Sequence, residues 1–166
     1  MIHTEPVIMD IEASGFGFDS YPIEVGIALE NNSRYCSLIS PANDWTHWEA
    51  SAEAVHHIDR ELLIKHGKHT REVAEDLNKL LAGKTVYTDG WVVDKPWLLK
   101  LFDQSMTRPT FHISALELIL SEEQIAIWHE TKNNLINELK ITRHRASNDA
   151  YIVQQTWLKT KSLALN

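Results

Sequence analysis

The chain has 166 residues, 43% of them apolar and 23% charged, with a formal net charge of −7. That composition excludes a disordered chain, and no run approaches the roughly 18 uninterrupted apolar residues needed to span a bilayer. One cysteine, Cys36, excludes an intramolecular disulfide and a multi-cysteine zinc site. The N-terminus lacks the basic and apolar segments of a signal peptide, so a single soluble domain in the cytoplasm is expected.

In chain order, Pro6 to Asp10 reads as a short buried strand, and Pro22 to Leu29 as a second. Asn31-Asn32 turns the chain into a third strand from Arg34 to Ile39, an antiparallel hairpin. Two short helices are expected over Ser51–Ile58 and Asp59–His66, the second capped by Asp59 and stopped by Gly67. Val73, Leu77, Leu80 and Leu81 recur at helical spacing within Thr70–Ala82, with Gly83 as the stop. Thr85–Thr88 is a fourth strand. Asp94–Gln104 is a helix that Asp94 caps and whose first turn admits Pro96. Phe111–Ser114 is a fifth strand. Ser121-Glu-Glu-Gln124 forms a capping box for a helix to Leu139, and the last helix runs from Ala146 to about Lys159. Three strands followed by alternating helices and strands describe one α/β domain with a mixed sheet, the order of a ribonuclease H-like fold.

Charge divides along the chain. Residues 131–166 carry six basic residues, Arg143 and Arg145 among them, and two acidic ones, so the first 130 residues are strongly acidic. Such a division suits a cation-filled site beside a phosphate-contacting surface, or two differently charged solvated faces.

Three segments carry chemistry. Asp10 and Glu12 alternate with Ile11, so a strand points both carboxylates to one face, where they repel unless a cation lies between them. The small residues Ala13, Ser14 and Gly15 follow and permit close approach of a ligand. Asp94 follows a strand and opens a helix. His144 precedes the last helix and Asp149 lies one turn inside it. Each segment has an ordinary structural reading as a turn, a helix cap or a dipole-facing acid.

Asp-x-Glu, a later strand–Asp–helix and a final His-x4-Asp, in that order, resemble the DEDDh, or DnaQ-like, family of 3′–5′ exonucleases. This group includes polymerase proofreading subunits, ribonuclease T and oligoribonuclease. The resemblance runs from about Val7 to Leu158. It takes in Pro22-Ile-Glu-Val-Gly and Ala54-Val-His-His-Ile58, which is similar to the family's His-Gly-Ile helix. Gly90 stands where many relatives have Asn, Val93 where they have Phe, and His57 where they have Gly.

The resemblance implies a ribonuclease H-like fold, a central mixed five-stranded sheet flanked by helices. It implies two Mg2+ or Mn2+ ions held by Asp10, Glu12, Asp94 and Asp149, with His144 as general base, an imidazole suiting proton transfer near neutral pH. The activity implied is removal of nucleoside 5′-monophosphates from a free 3′ end of single-stranded DNA or RNA. Ala13, Ser14, Phe16 and His56 are the candidates for contact with the terminal nucleotide, and Phe18 joins them. Trp91 is expected in the core, and Glu24 is expected to bond backbone near the site. A ribonuclease T- or oligoribonuclease-like trimming enzyme, a non-catalytic nucleic-acid-binding module on the same fold and a metal-dependent phosphatase acting on free nucleotides are the alternatives, and a homodimer is among the expected partners.

Overall fold

The computed structural model describes residues 5–165. Alternating apolar side chains carry the first strand past its expected end: β1 spans Val7–Ala13 and contains both Asp10 and Glu12. β2 (Pro22–Ala28) is buried along its whole length, and β3 (Arg34–Leu38) returns beside it. Asn31 and Asn32 both take left-handed backbone, φ 58° and 60°, in the turn that joins them. With β4 (Thr85–Thr88) and β5 (His112–Ala115) the sheet order is β3-β2-β1-β4-β5. β1 to β3 are antiparallel, whereas β4 is parallel to both β1 and β5. The sheet is thus the expected mixed, five-stranded one.

Helices α1 (Ala50–His56), α2 (Arg60–His66), α3 (Thr70–Leu81), α4 (Trp91–Ser105), α5 (Glu122–Leu139) and α6 (Ala146–Ala164) cover it. Caps fall where side chains can make them. Asp59 accepts from the Leu62 N–H at 2.7 Å, and Ser121 and Gln124 close the capping box of α5. α6 runs five residues beyond its expected end. α4 departs most. It starts at Trp91 behind Gly90, so Asp94 is not its cap, and Pro96 lies in the second turn. Pro96 cannot donate to the Val92 carbonyl, and that turn faces outward, with Val92 81% exposed, where water can replace the lost bond. Among the described residues no helix is long and apolar enough to cross a membrane.

Strand alternation splits the interior in two. Val7, Met9 and Ile11 join Ile23, Val25 and Ile27 in a core with Leu63, Val73, Leu77, Leu98 and Leu101. Ile8 and Ala28 face the other way and pack with Trp128 of α5 and Ala150, Val153 and Trp157 of α6. By the same alternation Asp10, Glu12, Glu24 and Gly26 lie on the α6 side, with Asp10 opposite Gly26 and Glu12 opposite Glu24.

Gly26 sets how near α6 can come. A Cβ there would lie 2.0 Å from the Ser147 nitrogen and 2.1 Å from the Ala146 carbonyl carbon, both backbone atoms that cannot swing aside. Gly26→Ala should therefore lift the start of α6 and cost about 3 kcal/mol or more, well above an ordinary surface change. Urea denaturation checks this, and a midpoint close to that of the unsubstituted protein would show that the helix does not bear on this glycine.

Candidate active site

Four carboxylates reach one cleft of about 530 Å³ from three elements: Asp10 and Glu12 from β1, Asp94 from α4 and Asp149 from α6, with His144 at its edge. Glu12, His144 and Asp149 offer ligand atoms that all lie within 4.8 Å of one another. Asp94 is buried, and the Thr88 hydroxyl, itself buried, hydrogen-bonds to Asp94 Oδ2 while accepting from the Gly90 N–H at 2.9 Å. A Cβ at residue 90 would stand 3.1 Å from that same Asp94 oxygen, so the glycine leaves the carboxylate its place.

α6 is clamped at its first residue. Glu24, with no exposed surface, accepts from the Ala146 N–H at 2.7 Å and from Arg145 Nη2 at 2.6 Å. This is the backbone contact expected of Glu24, made at a helix N-terminus where a carboxylate is favoured. Two residues before that start, His144 takes left-handed backbone (φ 60°) and donates its N–H to Asp149 Oδ2 at 3.1 Å, while Arg143 Nε donates to Oδ1 at 2.7 Å. The imidazole is half exposed, with Nδ1 4.0 Å from Asp149 Oδ2. Arg143 and Arg145, read in the sequence only as part of a basic tail, are thus folded onto carboxylates.

The carboxyls oppose one another's ionisation. Burial first, then the charges of Asp94, Glu12 and Asp149, push Asp10 well above the usual carboxylate range. Glu12 is pushed up to about 8 by burial and by Asp149, Glu24 and Asp94, with Arg145 opposing. Asp94 is pushed up to about 7 by burial and Asp89, against the Thr88 hydroxyl and the Ile11 backbone. Such a set fits a divalent cation. All its donors are hard oxygens apart from one imidazole, and positive charge would relieve a repulsion that protons otherwise relieve.

The cleft wall divides the remaining candidates. Ala13, Phe16 and His56 line it, whereas Ser14 lies beneath with no exposed surface. The Ser14 N–H donates to Tyr21 O at 3.0 Å, its carbonyl accepts from the Glu49 N–H at 2.9 Å, and its hydroxyl bonds His47 Nδ1 at 2.9 Å. His56 is buried, and Nδ1 accepts from the Ile58 N–H at 3.0 Å, so the ring proton sits on Nε2. Burial lowers its pKa, against Glu53, Glu24 and the Ala13 backbone. Phe18 lies outside the cleft and is 97% exposed. Trp91 is corrected from core to surface. It is 37% exposed because α4 begins there, and the Lys95 ammonium sits 4.6 Å over its ring. Glu49 lines the cleft and accepts from the Phe16 N–H at 3.2 Å. No motif in the sequence points to it.

No family model matches the chain, and no curated protein does. Solved structures do match in fold. Escherichia coli exonuclease I in complex with a dA16 oligonucleotide aligns with a TM-score of 0.71 at 12% identity over 96% of this chain and 41% of its own. The zinc-bound exonuclease I–ssDNA complex gives 0.72 at 12% identity over 94% and 40%. A moderately thermophilic exonuclease I from Methylocaldum szegediense gives 0.69 at 10% identity over 90% and 38%. The chain thus spans about two fifths of those proteins and shares their fold, which is the ribonuclease H-like fold expected from the sequence.

The raised carboxyls set a pH dependence. Metal ligation needs them ionised, so Mn2+ uptake should release protons, and Mn2+ should raise the melting temperature more at pH 8 than at pH 6. Without metal the sign reverses. Glu12 and Asp94 have folded pKa values near 8 and 7 against 4.5 and 3.8 when free, so stability falls as pH climbs from about 5 to 8. Glu12→Gln should then raise the metal-free melting temperature at pH 8 by a few degrees, the response to about 1 kcal/mol in a chain this size, and weaken the Mn2+ response. Calorimetry at both pH values checks this; a Glu12→Gln protein less stable than its parent at pH 8 would contradict it.

Proposed function

We propose that this protein is a metal-dependent 3′–5′ exonuclease that removes nucleoside 5′-monophosphates one at a time from single-stranded nucleic acid. The observation that carries this reading is the convergence of four carboxylates from β1, α4 and α6 with His144 on one open cleft. The fold shared with exonuclease I supports it, since those structures include complexes with oligonucleotides and one with ssDNA.

Asp10, Glu12, Asp94 and Asp149 would hold two ions, Mg2+ or Mn2+. When bound, such ions lower the cost of bringing an anionic phosphodiester to the acids and stabilise the departing oxyanion. The chain's residues do the rest. His144 accepts the proton of the attacking water as its oxygen bonds to phosphorus. The P–O3′ bond breaks opposite, the preceding nucleotide keeps its oxygen and takes a proton from solvent to become a new 3′-hydroxyl, and the terminal one leaves as a 5′-monophosphate. Ala13, Phe16 and His56 form the wall against which the terminal nucleotide rests. Ser14 stands behind them, both its backbone groups already paired, and serves to hold that wall.

The test is digestion of 5′-labelled single-stranded DNA and RNA in Mg2+, Mn2+ or EDTA. Shortening from the 3′ end with metal, and none in EDTA, is expected; comparison of the two polymers ranks them. Asp10→Ala should abolish digestion while the circular dichroism spectrum stays unchanged, because it would remove a metal ligand and relieve part of the carboxyl repulsion. Activity within a few-fold of the parent would sink the assignment.

His144→Ala separates proton transfer from binding. A general base contributes about 10²–10⁴-fold to rate, so single-turnover cleavage should fall by that factor. Oligonucleotide affinity in Ca2+ should stay within a few-fold. Loss of affinity in proportion to rate would show a structural His144.

A further inference from the structure

Resting on the exonuclease reading, we propose that Phe18 and Lys100 form a stacking step outside the cleft, which takes the nucleotide on the 5′ side of the one being removed. The loop that carries Phe18 is fastened at four points. Phe16 N–H bonds to Glu49, Trp97 Nε1 donates to Ser20 Oγ at 2.9 Å, and Lys100 Nζ donates to the carbonyls of Phe18 at 3.0 Å and Ser20 at 2.6 Å. Yet its two phenyls are left out of the core, Phe16 68% and Phe18 97% exposed. Gly17, at φ +95°, has nothing within 4 Å of where a Cβ would be, so the turn rather than crowding requires glycine there, and that turn sends the chain outward at Phe18. An anchored loop that presents a bare aromatic ring is a surface prepared for a flat apolar partner.

The chemistry around the ring selects the partner. Lys100 Nζ sits 6.0 Å from the centre of the Phe18 ring. An ammonium has three donors, and two are spent on carbonyls, so one remains beside the phenyl. A base on the ring with its phosphate on the ammonium satisfies both, the combination that binds single strands without regard to sequence. The step continues from the cleft, because Phe16, on its wall, also lies 6.2 Å from the Trp97 ring of α4, the helix that bears Lys100. Asp19 and Asp44 line the hollow beside Lys100, so the surface admits one phosphate on the lysine and is not a broad basic patch. Trp91 offers no equivalent step, since its own Lys95 covers the ring.

The experiment measures binding of thymidine 5′-monophosphate and of the oligothymidylate dT5 in Ca2+, across a range of salt. Phe18→Ala should weaken dT5 by about 5- to 150-fold, the range for loss of one stacked base, and leave the mononucleotide within twofold. Phe18→Trp should restore dT5 binding, and Trp91→Ala should leave it unchanged. Lys100→Met should reduce the slope of log affinity against log salt by about 0.7, one phosphate of a single strand. The proposal is overturned if Phe18→Ala binds dT5 like the parent, if it weakens both probes alike, or if its effect is to dissolve a self-associated state seen by light scattering. A parent protein that binds neither probe overturns the exonuclease reading itself, whereas a parent that binds and degrades dT5 with Phe18→Ala unaltered overturns only the stacking step.

Discussion

Glu24 has no exposed surface, yet it is ionisable and stands on a strand whose other residues are apolar or glycine. It is tolerated because the first turn of α6 answers it, with Arg145 through Nε and Nη2 and Ala146 through its N–H. Burial of an unpaired carboxylate costs several kcal/mol, so the sheet face is satisfied only with α6 in place and turned this way. Beside it Gly26 removes the one obstacle to close approach. The two residues lie on the same face of β2, one attracting the helix and the other admitting it. Asp149 and His144 reach the end of β1 as a consequence.

What α6 delivers is itself unfavourable. Asp149 arrives beside Glu12, which already shares its face with Asp10 and Glu24, and Asp94 comes from the opposite side under the Thr88 hydroxyl. Without cations, protons hold this group together, as the raised pKa values of Asp10, Glu12 and Asp94 express. Arg143 offsets part of the charge on Asp149. The fold therefore keeps at its centre a set of carboxyls whose affinity for positive charge would grow the more fully it is ionised. Folding energy from two hydrophobic layers maintains that repulsion, a usual trade at sites that bind metals.

Around this centre the cleft is chemically uneven. One side carries Asp10, Glu12, Asp94, Asp149 and His144; the other carries Ala13, Phe16, Val55, Val93 and Trp97 with a buried neutral His56, and Glu49 bonded to the Phe16 N–H. An anion approaching without cations would meet only repulsion on the first side, while a base would find apolar surface on the second. On the proposed reading, such a division would orient a nucleotide with sugar and base toward the apolar wall and phosphate toward the acids. The Ser14 hydroxyl bonds His47 Nδ1 behind this wall, and His47 Nε2 lies 3.2 Å from Oε1 of Glu49 in the lining.

Much of this was legible in the chain. The i, i+2 placement of Asp10 and Glu12, the His-x4-Asp spacing, the Asp59 and Ser121 caps and the order of strands and helices all follow from interactions among residues a few positions apart. Periodicity and capping are local, so the sequence by itself determined the mixed α/β order and nominated the five residues that meet in the cleft. Tertiary structure alone decided the rest. That α4 begins at Trp91, which leaves the tryptophan on the surface and Asp94 buried against Thr88, depends on β4 and β1 as much as on Pro96. The closeness of α6 depends on a glycine and a glutamate 120 or so residues earlier, with no motif to join them. Whether Ser14 faces the ligand or the core, and whether Phe18 is packed or bare, likewise turns on Tyr21, His47, Glu49 and Lys100. Burial and exposure are set by segments distant in sequence, and alternation along one strand carries no record of them.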